Sequence, residues 1–339
     1  MKILIDAFGG DNSPKEVIAG TVLAVKERKN FIAELVGDKD KIEEILKEYD
    51  YDKERITILH APDVITCEEE PTLAIRRKPN SSICVAMKEL KENEQASAFV
   101  SAGSTGAVLV GATLKLGRIS GVNRPALCPV MPTVIDGKKV ILLDSGANAD
   151  CKSINLCQFA LMGVAYAESM GVKNPKVALL SNGTEDEKGN ALNHEVFPLL
   201  KQMDINFVGN MEARDLITGK YDVVVADGFS GNVALKSMEG AIKSVLKLIK
   251  EGAMSSLCGK IGGLFLKGTF KNLSKRLDYS KMGGALFLGV NKPVIKAHGS
   301  SERVAFKSAI LQAVDYAGFN ISDRVKEKLD NPKNQVGNA

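Results

Sequence analysis

The chain has 339 residues, 45% of them hydrophobic and 25% charged, a size and composition that predict one large α/β domain or about two smaller domains. Its 45 basic and 41 acidic side chains give a net charge of +4, which excludes a strongly cationic nucleic-acid-binding protein and an acidic disordered chain. Tryptophan is absent and aromatic residues make up 5% of the chain, so stacking surfaces for bases or sugars are not expected.

The predicted elements alternate between short apolar strands and longer helices. In chain order, the predicted strands span 2–7, 31–36, 56–60, 98–101, 140–143, 177–180, 223–226 and 294–297. The predicted helices span 14–25, 39–47, 81–94, 107–116, 153–169, 233–250 and 304–316. This alternation predicts a mostly parallel sheet with helices on both faces, and a functional cleft at the carboxyl ends of the strands.

No internal repeat and no Pro/Ser-rich linker divides the sequence. We therefore expect a single α/β/α domain over 1–330, with a basic amphipathic insertion at 251–290 and a flexible tail at 331–339. No signal-peptide core or membrane-spanning run is visible, and the cysteines and histidines lack zinc-ligand spacing. A reduced, cytoplasmic, metal-free protein is the simplest interpretation.

Three turns share one design, because each follows a predicted strand, opens a predicted helix and is built from small residues: SAGSTGA (101–107), DGFSGN (227–232) and HGSS (298–301). Small residues let backbone N–H groups approach a ligand, and a helix N-terminus favours an anion. Each turn alone is also typical of ordinary helix capping. The candidate anion-binding residues are Gly103, Ser104, Thr105, Gly106, Asp227, Ser230 and Gly231. No P-loop or dinucleotide fingerprint is present, which disfavours nucleotide binding.

Lys188 is the only cation in the polar loop 181–190. It could clamp a phosphate as a mobile point charge, or the loop could be a solvated turn. Asp144 and Asp227 both follow predicted strands, where a carboxylate caps a turn as readily as it takes part in catalysis.

Six motifs, DAFGGD, SAGSTGA, DSGANADC, NGTEDEKGN, DGFSGNVALK and AHGSS, fall in the order and spacing of the bacterial phosphate acyltransferases of phospholipid synthesis. Nearly the whole chain, up to about Arg324, resembles that family; one departure is Ser104, where the family motif has Asn. The resemblance implies a Rossmann-like three-layer α/β/α sandwich with a mostly parallel sheet, related to phosphotransacetylase and isopropylmalate-dehydrogenase-type folds.

The resemblance also implies an activity, the transfer of a long acyl group from acyl carrier protein to inorganic phosphate. The acyl phosphate product would supply a membrane glycerol-3-phosphate acyltransferase. Homodimers and the absence of a metal or organic cofactor are implied as well. Three alternatives remain open: a short-chain phosphotransacetylase acting on acyl-CoA, a metal-dependent decarboxylating dehydrogenase, and a non-catalytic membrane scaffold that binds carrier protein.

For this reaction, we expect Lys188 and Asn232 to hold the phosphate or the oxyanion, with backbone donors from 103–106. His298 would assist the departing thiolate or serve a structural role at its strand end. Because phosphate is itself the nucleophile and a thiol leaves readily, positioning and oxyanion donors are the main requirements.

Two basic segments are candidates for contacts with larger partners. Acyl carrier protein is acidic, and the densest cationic run is Arg76, Arg77 and Lys78, which could instead be a solvated loop before Pro79. Segment 253–277 contains no acidic residue and has an amphipathic pattern, so it could lie on an anionic membrane surface or pack against a dimer partner. The candidate membrane residues are Leu264, Phe265, Lys267 and Lys271.

Overall fold

A computed structural model describes residues 1–256, 261–263, 265–266, 268–269 and 283–335. The strands are β1 (Lys2–Asp6), β2 (Ile32–Gly37), β3 (Ile56–His60), β4 (Ala96–Ser101), β5 (Ala126–Cys128), β6 (Val130–Pro132), β7 (Lys139–Leu143), β8 (Val177–Ser181), β9 (Phe207–Glu212), β10 (Val223–Val225), β11 (Ala285–Leu288) and β12 (Val294–Lys296). The helices are α1 (Lys15–Glu27), α2 (Lys39–Leu46), α3 (Pro71–Arg77), α4 (Ser82–Glu92), α5 (Thr105–Gly111), α6 (Ser153–Ser169), α7 (Ala191–Gln202), α8 (Gly228–Met254), α9 (Arg303–Ala317) and α10 (Ile321–Asp330).

The strands form two sheets, where the sequence pattern predicts one. The larger sheet has the order β3-β2-β1-β4-β12-β11-β5, and the smaller has the order β6-β7-β10-β8-β9. Most neighbours are parallel, and the antiparallel pairs involve β11, β5 and β6 at one side of each sheet. The chain passes from the first sheet to the second between Cys128 and Val130, through strands of three residues that are too short to give a sequence signal.

Helix α6 belongs to a hydrophobic core that also includes strands of both sheets. Residues 155–167 of this helix are buried all round, and its bounds confirm the helix predicted at 153–169. One cluster of buried side chains includes Ile5 of the larger sheet, Phe159 of α6 and Val223 of the smaller sheet. The two sheets therefore share a continuous core. Among the helices that the structure describes, none is long and apolar enough to cross a membrane.

Two predicted boundaries need correction. Strand β11 lies inside the predicted insertion 251–290, yet it pairs with β12 and β5 because its apolar residues are buried in the larger sheet. The predicted flexible tail starts at 331, yet Asn334 is buried. Its side chain accepts a hydrogen bond from the Asp204 amide and donates to the Lys328 carbonyl, so 331–335 pack on the fold.

Candidate active site

The three small-residue turns converge in one cleft between the carboxyl ends of the two sheets. The cleft contains a cavity of about 350 Å³. Its lining includes residues from all three turns, from the loop after β7 and from helix α8, among them Thr105, Ser145, Asn232, Lys236, Glu239, Lys296 and His298. Loops from separate sheets thus surround one cavity that has a few polar and charged groups in a largely apolar lining, as expected for ligand binding at strand carboxyl ends.

In the turn after β4, only some of the predicted backbone N–H donors lack a hydrogen-bond partner within the turn. Ser104 is the N-cap of α5, and its hydroxyl accepts a hydrogen bond from the Ala107 amide at 3.4 Å. The Gly103 amide donates to the Ser101 hydroxyl at 3.0 Å and is therefore already satisfied. Because the first-turn amides of a helix have no intrahelical acceptor, the amides of Thr105 and Gly106 are the donors left for a ligand.

The DGFSGN segment is the first part of a helix, whereas the sequence predicts a turn before a helix at 233. Helix α8 begins at Gly228, because the Asp227 carboxylate caps it and accepts from the Ser230 amide at 2.8 Å. The Asp227 carboxylate and the Ser230 amide therefore satisfy each other's hydrogen bonding within this helix cap. Asn232 lies one turn further along, with its side chain exposed to the cavity.

Asp144 organises the loop after β7, although its side chain does not reach the cavity. The carboxylate is fully buried and accepts hydrogen bonds from the amides of Leu127 (2.9 Å), Ala147 (3.1 Å) and Asn148 (2.7 Å) and from the Asn148 side chain (2.9 Å). Burial raises its pKa, and the hydrogen bond from the Asn148 side chain opposes that rise. The Asn148 carbonyl in turn accepts from the Gly228 amide at 2.8 Å, which ties this loop to the start of α8.

His298 lines the cavity and is held by its own turn. The Ser300 amide donates to Nδ1 at 3.3 Å, which places the proton of the neutral ring on Nε2. Burial lowers the pKa of His298, and the positive charges of Lys236 and Lys296 lower it further. The imidazole is therefore neutral near pH 7, and Nε2 is a hydrogen-bond donor.

Sequence reasoning missed three charged residues of the cleft. Lys296, the last residue of β12, is only 9% exposed, and Glu239 on α8 is 6% exposed. Lys236 donates to the Glu239 carboxylate at 3.0 Å. Lys236 ends the DGFSGNVALK motif one helical turn after Asn232, a spacing that could have pointed to it. Within the described ranges, no three His, Cys, Asp or Glu side chains lie close enough to share a metal ion.

Lys188 lies outside the cavity that the three turns surround. Its side chain is exposed, and Lys188 does not line the cavity that contains Asn232. Its loop contributes Asn182 and Asn190 to a second, apolar cavity of about 830 Å³, which also contains Phe229 and Ser230. Lys188 and Asn232, which were expected to hold the phosphate together, thus do not line the same cavity in this structure. The roles of both residues stay predictions.

Two of the candidate docking residues, Arg76 and Arg77, lie in the last turn of α3, and Lys78 is its C-cap residue. Arg76 and Arg77 are exposed, while Lys78 donates to the Glu69 carboxylate and to the Val64 carbonyl, each at 2.8 Å. Helix α3 packs against α5, so this basic surface is next to the helix that carries Thr105.

The candidate membrane residues are described only in part. Leu264, Lys267 and Lys271 lie outside the described residues. Phe265 is in a helical stretch, and its side chain is 84% exposed. Its role in membrane contact stays a prediction.

Solved structures share this fold. A phosphotransacetylase from Streptococcus pyogenes aligns with a TM-score of 0.61 and 16% identity, covering 96% of this chain and 94% of that chain. A branched-chain phosphotransacylase from Enterococcus faecalis V583 aligns with a TM-score of 0.57 and 15% identity, covering 94% and 99%. At these identities the likeness establishes the fold alone, and it confirms the predicted α/β class and the predicted likeness to the phosphotransacetylase fold.

Much closer relatives identify the family. A protein of Clostridium novyi (strain NT) is 50% identical over 333 residues, which cover 97% of this chain and 99% of the relative. A protein of Bacillus cereus (strain B4264) is 50% identical over 331 residues, covering 97% and 98%. Both are named phosphate acyltransferase, and a family model described as "Fatty acid synthesis protein" matches residues 1–324. The resemblance seen in the sequence motifs is therefore confirmed, and the chain belongs to this fatty acid synthesis family together with these phosphate acyltransferases.

Proposed function

We propose that the chain is a phosphate acyltransferase that converts long-chain acyl-[acyl-carrier-protein] and inorganic phosphate into acyl phosphate and free carrier protein. The observation that carries the proposal is the identity of about 50% to phosphate acyltransferases over nearly the full length. The cleft supports it, because a cavity lined by Lys236 and Lys296 beside a helix N-terminus is suited to an inorganic anion.

In the proposed reaction, an oxygen of hydrogen phosphate attacks the carbonyl carbon of the thioester. A carbon–oxygen bond forms, the carbon–sulfur bond breaks, and the proton of the phosphate ends on the departing sulfur. Because a thiol has a pKa of about 8.5, its thiolate leaves with little acid assistance. The protein then has to hold the reactants together and stabilise the charge on the carbonyl oxygen. We assign this role to the amides of Thr105 and Gly106 and to the side chain of Asn232.

The test is phosphate-dependent release of carrier protein from palmitoyl-[acyl-carrier-protein], with the acyl phosphate trapped by hydroxylamine. The proposal expects turnover with this substrate and none with acetyl-CoA. Turnover with acetyl-CoA alone would favour a short-chain phosphotransacetylase instead. Binding of carrier protein without any phosphate-dependent turnover would favour a non-catalytic scaffold.

We propose that acyl carrier protein docks on the exposed arginines of α3. The Arg76→Glu/Arg77→Glu double variant should raise the KM for acyl carrier protein about tenfold and leave kcat nearly unchanged, because charges at the rim of an interface act mainly on association. The control is Lys41→Glu, which reverses an exposed charge on α2. A steady-state KM equal to that of the wild type would place docking elsewhere.

We also propose a homodimer in the cytoplasm that delivers acyl phosphate to a membrane glycerol-3-phosphate acyltransferase. The support is the group of exposed apolar side chains on one face of the second half of α8, where Val245, Leu248 and Ile249 are 54%, 66% and 37% exposed. Apolar surface of this kind is typical of a protein–protein or membrane contact.

A direct contact with an anionic membrane is the proposal for the basic amphipathic segment. Phe265→Asp should reduce flotation with vesicles that contain anionic lipid by about half or more, because an interfacial aromatic side chain would be replaced by a charge. Val304→Asp changes an exposed valine of α9 and is the control. If the wild-type protein does not float, the segment has another role.

A further inference from the structure

A buried lysine reaches the cleft from the end of strand β12. The Nζ of Lys296 donates hydrogen bonds to the backbone carbonyls of Ala102, at 3.2 Å, and Ala297. These carbonyls belong to the two residues that follow β4 and β12, so the amine joins two of the turns that form the cavity. An ammonium group has three N–H donors. Two are used here, and the third is left for a ligand in the cavity that Lys296 lines.

The charge of Lys296 has no counter-ion in contact. Asp6 of β1 is near enough to favour the ammonium, but its carboxylate accepts hydrogen bonds from the Ser101 hydroxyl and the Phe8 amide. Cys67 and Asp11 also favour the ammonium. Across the part of the chain that the structure describes, no carboxylate lies within 4 Å of the Lys296 amine. A buried charge without a paired ion is costly, and an anion in the cavity would offset that cost.

The groups around Lys296 bring its titration close to neutral pH. Burial is the largest effect and lowers the pKa of the amine to about 8, and Lys236 on α8 lowers it as well. Cys67, Asp6 and Asp11 act in the opposite direction. The neighbouring imidazole of His298 is neutral in this range, because its own pKa is lowered. The amine is therefore mostly charged below pH 8 and mostly neutral above it.

We propose that Lys296 is the cation that binds inorganic phosphate in this active site, donating its third N–H to a phosphate oxygen. The inference deepens the proposed function, since it names the residue that holds the nucleophile. It also departs from the sequence-based expectation for Lys188, which lies on an exposed loop away from Asn232. A fixed amine in a buried site interacts with an anion more strongly than a solvated one, because water screens it less.

The test is calorimetric titration of the free enzyme with inorganic phosphate between pH 7 and 9.5. Lys296→Met should weaken phosphate binding by about 100-fold, because the loss of one partner from a buried, hydrogen-bonded charge pair has an effect of about that size. The wild-type affinity should fall as pH rises through about 8, because the ammonium loses its proton. Lys296→Arg should retain measurable binding and lose this pH dependence, since arginine stays charged.

Another lysine serves as a comparison. Lys292→Met is a matched control, because the Lys292 amine also donates to two backbone carbonyls, those of Asn93 and Ala96, at the opposite end of the strand. It should bind phosphate like the wild type. Wild-type affinity in Lys296→Met, or a wild-type affinity that does not vary between pH 7 and 9.5, would overturn the proposal. The second of these outcomes needs no variant to fold.

The calorimetry separates this inference from the proposed function. Phosphate binding that depends on Lys296 in a protein without acyl-transfer activity would overturn the function and leave the anion site standing. Acyl transfer with the same phosphate KM in the wild type and Lys296→Met would overturn the role of Lys296 and leave the proposed function standing.

Discussion

Gly231→Ala is expected to lower kcat/KM by about 100-fold or more, because displacement of a catalytic group by about 1 Å is enough for a loss of that size. A Cβ at this position would lie 1.9 Å from the backbone carbonyl oxygen of Asp144. That oxygen belongs to the main chain beside β7 and cannot rotate away as a side chain would. The start of α8 would have to move and carry Asn232 with it. Overpacking of this kind should also reduce the free energy of unfolding by about 1–3 kcal/mol.

Gly240→Ala is the matched control, because it lies on the same helix and its Cβ would meet no atom within 4 Å. It should keep wild-type kcat/KM and gain up to about 1 kcal/mol of stability from helix propensity. Urea unfolding and acyl-transfer kinetics on both variants provide the measurement. Wild-type activity in Gly231→Ala would show that the close approach of α8 to β7 does not position Asn232.

The sequence was sufficient for the elements whose signals are local. The helix predicted at 153–169 has those bounds in the structure, and its apolar run at 159–167 is longer than a typical buried strand. The turns at Ser104 and His298 were found from their small residues after apolar strands. They meet in one cleft because parallel strands bring their carboxyl ends to the same edge.

The sequence was insufficient where a role depends on distant parts of the chain. Lys296 reads as a lysine at a strand end, and only the pairing of β12 with β4 places its amine beside Ala102. Asp227 reads equally well as a ligand or a cap, and the Ser230 amide that it accepts from shows the capping contact. Lys188 stood out because its loop is polar, but polarity does not indicate the cavity that a loop lines.

Asp144→Asn is expected to lower the free energy of unfolding by about 3 kcal/mol, because two buried donors would lose their acceptor and each such loss costs about 1–3 kcal/mol. The two carboxylate oxygens each accept two hydrogen bonds, Oδ1 from Leu127 and Ala147 and Oδ2 from Asn148. An asparagine has one acceptor oxygen, so its NH₂ group must face a pair of donors. The Asn148 carbonyl that holds the Gly228 amide would shift as a result, and kcat should fall by about tenfold or more.

Asp38→Asn provides the comparison, because Asp38 caps α2 at the surface with one carboxylate oxygen accepting from the Lys41 amide. Asparagine caps a helix about as well as aspartate, so this variant should change stability by less than about 1 kcal/mol and leave kcat unaltered. Chemical denaturation and single-turnover acyl transfer on both variants would separate a general effect of removing a carboxylate from an effect on the cleft. If Asp144→Asn keeps both wild-type stability and wild-type kcat, the buried carboxylate does not fix the loop, and the start of α8 is held in place by the Asp227 cap and by its packing against β7.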